Sequence, residues 1–69
     1  MIKTNPTLLA HQMFVADREA GELGPNPRTR VYIELQAECD AMEIDFDEDY
    51  ADAVVAAYEA ELDEAAKEA

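Results

Sequence analysis

The sequence predicts an all-α fold, a small three-helix bundle with short loops, and three observations carry that expectation. Apolar residues recur at steps of three and four in three separate stretches, the period of one face of a helix. Two of the stretches begin with the same start signal, Asn-Pro, at residues 5–6 and 26–27. The chain has 69 residues, 49% of them hydrophobic, with 2 Gly and 3 Pro, which is enough apolar material for one core and too few breakers for a disordered tail.

The first helix is expected over about 6–22. Asn5 is placed to cap it, and Pro6 fits the first helical position because its fixed φ and missing N–H do no harm there. Leu9, Met13, Ala16, Ala20 and Leu23 form its apolar stripe, and Gly21 with Gly24-Pro25 ends it. Asn26-Pro27 opens a second helix over about 27–43, with Val31, Leu35, Cys39 and Met42 facing inward. Tyr32 and Ile33 interrupt that stripe, and Val31-Tyr32-Ile33 alone reads equally as a strand; the longer periodicity favours helix. The segment Ile44-Asp45-Phe46-Asp47-Glu48-Asp49 is the second connection and leads into a third helix over about 48–66. Asp47 is its expected N-cap, Glu48 and Asp49 suit the positive end of the helix dipole, and Phe46 is placed to fold back on Tyr50 or Ala51. Val54, Tyr58, Leu62 and Ala65 line the inner face, widened by Ala51 and Val55. The last turn, around Lys67, is expected to fray.

Charge separates the two halves. The chain holds 17 Asp and Glu against 5 Lys and Arg, a net charge of −12. Residues 1–30 carry four bases and three acids, whereas residues 31–69 carry 14 acids and the single base Lys67. Between Arg30 and Lys67 there is no basic residue, so the reading leaves these carboxylates without local salt-bridge partners. Like charges three or four apart on a helix each cost a few tenths of a kcal/mol, so the excess calls for a reason other than stability.

Chemistry is sparse. Asp45, Asp47 and Asp49 share the spacing that opens an EF-hand loop, but Tyr50 and Ala56 stand where the loop needs glycine and a bidentate Glu, so no metal is expected. His11 has no second His and no acid on its own face, Cys39 continues a core stripe, and phosphate loops, nucleophile elbows and paired cysteines are absent. No catalytic residue and no cofactor are therefore expected, and the chain is read as a non-enzyme. The lone cysteine, the lack of an 18-residue apolar run and the lack of a signal-like N-terminus lead to an expected cytoplasmic location, away from membranes.

Direct nucleic-acid binding is disfavoured by the sign of the charge, because phosphate contacts need clustered bases. The same carboxylates complement a basic nucleic-acid-binding groove. Asp52, Glu59 and Asp63 fall within about 40° on a helical wheel, with axial steps of about 10 and 6 Å, comparable with phosphates taken two or three at a time. Glu38, Asp40, Glu43, Asp45, Asp47, Glu48 and Asp49 add density around the second connection. These ten acids are the candidate partner-binding residues. Phe14 and Tyr32 lie off the apolar stripes. Each is either buried against the third helix or a secondary anchor for a partner or a second copy of the chain in a homodimer.

With its short length, the run Glu34-Leu35-Gln36-Ala37-Glu38-Cys39-Asp40, the cluster Asp45-Phe46-Asp47-Glu48-Asp49 with Asp52, and no enzyme signature, the sequence resembles the small acidic phage-encoded inhibitors of bacterial defence, the anti-CRISPR and anti-restriction proteins. Several of these resemble DNA in surface charge. The resemblance covers the acidic second half and is one of profile; no residue carries over position by position. It implies a DNA-mimicking inhibitor that binds a basic DNA-binding protein or CRISPR effector subunit, at the site that recognises the PAM duplex, and blocks DNA binding in the host cytoplasm. The alternative is a helical adaptor or phage assembly factor that acts through apolar and aromatic contacts, with acidity serving solubility or a salt-rich cell.

Overall fold

The computed structural model describes residues 4–21 and 26–68. It is a three-helix bundle of α1 (Pro6–Ala20), α2 (Pro27–Met42) and α3 (Glu48–Glu68), and the described residues contain no strand, so Val31-Tyr32-Ile33 is helical. Leu23, Gly24 and Pro25 lie outside the described residues.

The ends of the helices follow local chemistry. Asn5 Oδ1 accepts hydrogen bonds from the N–H groups of Thr7 (2.8 Å) and Leu8 (3.4 Å), the expected cap. Asn26 differs from that expectation. With φ −123° and ψ 75°, against −56° and 130° at Asn5, its side chain makes no cap bond, and α2 starts on Pro27 alone. α1 stops two residues before the expected end, because Gly21 adopts a left-handed φ of 71° and its N–H turns back to the Arg18 carbonyl at 3.1 Å. α2 closes in a Schellman arrangement: the Glu43 N–H donates to Asp40 O (3.3 Å) and the Ile44 N–H to Cys39 O (3.0 Å). Glu43 holds the left-handed position there, at φ 57°. Asp47 caps α3 as expected, its Oδ1 accepting from the Tyr50 N–H at 3.1 Å.

α3 is the spine. It packs on both other helices, whereas no Cα of α1 approaches a Cα of α2 within 8 Å. The result is elongated, 40 × 20 × 17 Å. The core joins Ala10, Met13 and Phe14 of α1, Val31 and Leu35 of α2, and Ala51, Val54, Val55 and Tyr58 of α3, with Leu62 and Ala65 half-buried beside it. Cys39 is a buried free thiol, as its place in the stripe implies.

Two sequence expectations are corrected by this packing. α1 is turned relative to its expected stripe: Ala16 and Ala20 face solvent, and Phe14 lies inside at 3% exposure, edge-on to the Tyr58 ring at a centroid distance of 6.0 Å. Phe14 therefore cannot anchor a partner; burial against α3 is the outcome. Met42, expected inside, is 50% exposed, because the helix ends there and the chain turns away.

The core also holds a carboxylate. Asp17 of α1 is 2% exposed and tied to both other helices. Its Oδ2 accepts from the Tyr58 hydroxyl of α3 at 2.6 Å, and its Oδ1 from the Arg30 guanidinium of α2 at 2.9 Å. Arg30 also donates to Glu34 at 2.8 Å, so Glu34 has the i,i+4 partner that the charge reading denied it. No described buried side-chain polar atom is left without a partner. A buried carboxylate is tolerated only when its charge is matched and its lone pairs are filled, and here both oxygens are engaged.

Candidate functional site at the α2–α3 turn

The chain enters the turn from the Schellman end of α2 and leaves it through the Asp47 cap. Residues 43–49 line a shallow depression open to solvent. Glu43, Asp45, Asp47, Glu48 and Asp49 are all exposed there, with Glu38 and Asp40 exposed on the preceding helix. Among the described residues, no basic side chain comes within 4.0 Å of any of these seven carboxylates. Asp40 receives a hydrogen bond from Gln36 Nε2 at 3.1 Å, and one oxygen of Asp47 serves the helix cap.

The structure thus gathers seven of the ten candidate acids at one end of the molecule. Glu59 and Asp63 are also exposed, but they stand apart along α3, about 16 and 22 Å from its first residue at 1.5 Å per residue. Asp52 is different again. Arg28 reaches it at 3.2 Å and the Tyr32 hydroxyl donates to its carboxylate, so its charge is largely matched within the protein.

Around Asp52 the side chains form a clasp between α2 and α3. The Arg28 guanidinium lies 4.7 Å over the Tyr32 ring and donates to the Tyr32 oxygen at 3.0 Å. The Tyr32 ring also meets Phe46, from the acidic connection, at 5.4 Å between centroids. Tyr32, held open as either buried or an anchor, is half-buried and occupied by these partners. Its hydroxyl pKa is pushed up, first by the hydrogen bond to Asp52 and then by burial. Nearby, the Tyr50 hydroxyl donates to the Thr4 carbonyl at 2.6 Å, and burial followed by the Glu38 charge pushes its pKa up.

The three arginines of the first half each have a partner inside the molecule, acids for two of them and a ring for the third. Arg28 takes Asp52, Arg30 takes Asp17 and Glu34, and Arg18 lies 5.5 Å over the Phe14 ring. Arg30 is held even more firmly protonated than usual by its bonds to Glu34 and Asp17. His11 is not without an acid as the sequence implied: its Nδ1 lies 3.0 Å from Glu61 Oε1 across α1 and α3. The Arg30–Asp17, Arg28–Asp52 and His11–Glu61 pairings join residues 13 to 50 positions apart, so spacing along the chain carried no sign of them.

For metal chemistry, the described residues contain no group of three or more His, Cys, Asp or Glu side chains placed to hold an ion. No helix among them is long and apolar enough to cross a membrane. The chain matches no known family, and no characterised protein or solved structure shows significant similarity to it.

Proposed function

We infer that this protein is an inhibitor that acts by occupancy, placing its carboxylates where the phosphates of DNA would lie on the basic surface of a bacterial defence complex, such as the PAM-reading site of a CRISPR effector. One observation supports this reading above others: Arg28 and Arg30 are spent on internal pairs, while seven exposed carboxylates with no described basic neighbour are collected around the α2–α3 turn. A surface kept acidic at one end, at a cost in self-repulsion, suits a partner that is itself basic and releases counterions on binding.

The adaptor reading has less support, because Phe14 is buried and Tyr32 is engaged by Arg28, Asp52 and Phe46. What remains for it is scattered: Leu8 on α1, and Ile33 and Met42 nine residues apart on α2. Scattered single apolar residues are normal on protein surfaces.

A pull-down from host lysate with the protein as bait, at about 0.1 and 0.5 M NaCl, tests the inference. The expected capture is a basic DNA-binding protein that is lost at the higher salt and displaced by duplex DNA. Capture that persists in high salt and ignores DNA contradicts it.

A further inference from the structure

The connection that carries Asp45 and Asp47 is tethered at its ends and at one point between them. At one end, Ile44 N–H bonds to Cys39 O; at the other, the Asp47 carbonyl accepts the Ala51 N–H at 3.0 Å and its side chain caps Tyr50. Between them, the aromatic contact of Phe46 is with Tyr32, and Tyr32 is itself fixed by Arg28 and Asp52. Phe46 and Tyr32 also pack against the core; beyond that packing, links run from Asp52 and Arg28 to the Tyr32 ring, from that ring to Phe46, and from Phe46 to the carboxylates on either side of it.

We propose that the Arg28–Tyr32–Asp52 clasp is a positioning device: through Phe46 it sets the pose of the acidic connection, and Asp52 acts inside the protein and not as a contact to the partner. The inference rests on the reading that the turn is the binding face, but the device itself is a property of the free protein. An acidic segment that moves freely must lose that freedom on binding, whereas one held in place presents its charges at fixed separations. The clasp also explains why a molecule with a net charge of −12 directs one of its few arginines to this spot.

The test is backbone ¹⁵N relaxation on the free protein, wild type against Tyr32→Phe, Asp52→Asn and Phe46→Ala. Tyr32→Phe keeps the ring and removes the hydroxyl that holds it; Asp52→Asn keeps the shape and removes the charge that Arg28 pairs with. Wild-type order parameters at residues 44–47 are expected near the rigid value of about 0.85, falling below about 0.6 in Phe46→Ala and by a smaller amount in the other two. Residues 51–58 of α3 are expected to stay rigid in all four proteins. A merely structural role lowers the melting temperature without loosening 44–47 in the folded state. Unchanged order at 44–47 in all three variants therefore overturns the proposal, as does a connection already mobile in the wild type.

A second arm asks whether Asp52 is a contact, using a nona-arginine peptide as probe and the slope of log Kd against log salt. Asp45→Asn is expected to make the slope shallower and Asp52→Asn to leave it as in the wild type; an equal reduction by both assigns Asp52 to the contact face and overturns its positioning role. If the order parameters fall as expected while DNA competition fails, the clasp stands and the mimicry reading alone is lost.

Discussion

Glu43 is the residue whose local conformation conflicts most openly with its type. A left-handed φ of 57° puts the Cβ of any residue but glycine close to the next carbonyl, at about 1–2 kcal/mol, and glycine is the common choice at such a helix end. Nothing in the hydrogen bonding of the turn requires a side chain there, so the carboxylate is carried against local preference. Glu43→Gly is therefore expected to raise the melting temperature by a few degrees, corresponding to about 0.5–1 kcal/mol, and to weaken DNA competition, because one charge leaves the turn. Calorimetry and the competition assay on one preparation check both signs. A variant that gains stability and competes as well as wild type removes Glu43 from the contact face.

At the scale of the helices, the decisive element is the junction of Asp17, Tyr58 and Arg30, because the backbones of α1 and α2 stay apart and this side-chain junction ties both to each other and to α3. Asp17→Asn keeps the size but removes the charge, leaving Arg30 with Glu34 alone, and is expected to cost about 2 kcal/mol, or roughly 8–16 °C in melting temperature for a domain of this size. Tyr58 adds a pH signature. Burial, then the bond to Asp17, pushes its pKa up to about 12. Below about pH 10 the phenol is neutral in both states and its contribution is complete; between pH 10 and 12 the unfolded chain ionises first, so stability falls as pH rises through that window. Two units correspond to an upper value of about 2–3 kcal/mol. Urea midpoints at about pH 9 and pH 11.5 are expected to drop more for the wild type than for Tyr58→Phe. Equal drops would place the alkaline loss on Tyr32 and Tyr50.

The same elements show what the sequence made legible. The stripes Val31-Leu35-Cys39 and Val54-Tyr58 were readable because each has one apolar phase, and Asn5 and Asp47 because a cap is a local bond between near neighbours. α1 was not, because Met13 belongs to two stripes. Leu9-Met13-Ala16-Ala20 is uniformly apolar, whereas the true inner face, Ala10-Met13-Phe14-Asp17, contains an acid whose burial depends on Tyr58 and Arg30 far along the chain. Periodicity gives the helix but not its phase when both choices fit. For the site, exposure of the ten acids followed from their polarity, but the withdrawal of Asp52 into a pair with Arg28 depended on tertiary contact and had no local sign.

For the whole molecule, the internal pairing of Arg28 and Arg30 leaves the acidic turn and the outer face of α3 with unrelieved repulsion. Thermal stability is expected to rise with NaCl up to about 0.5 M, since the Debye length falls from about 10 Å at 0.1 M towards 3 Å at 1 M and screens repulsion among exposed carboxylates. The buried Asp17 pair is screened far less. A melting temperature that falls with salt would mean that the surface pairs Arg28–Asp52 and His11–Glu61 outweigh the repulsion.

The same surface carries the functional inference, and the structure shows which acids can be changed without touching the fold. Asp47 caps α3 and Asp52 sits in the clasp, so reversing either confounds charge with structure. Glu38, Glu43, Asp45 and Asp49 are exposed and accept no described hydrogen bond or ion pair with their side chains. The deciding measurement is competition between the protein and labelled duplex DNA for the purified partner, wild type against the variant carrying Glu38→Lys, Glu43→Lys, Asp45→Lys and Asp49→Lys, with circular dichroism confirming the helices. DNA mimicry predicts that the folded variant loses competition by 100-fold or more, on the order of 3 kcal/mol or above, because a basic groove now meets like charge. A folded variant that displaces DNA as well as the wild type does would contradict it.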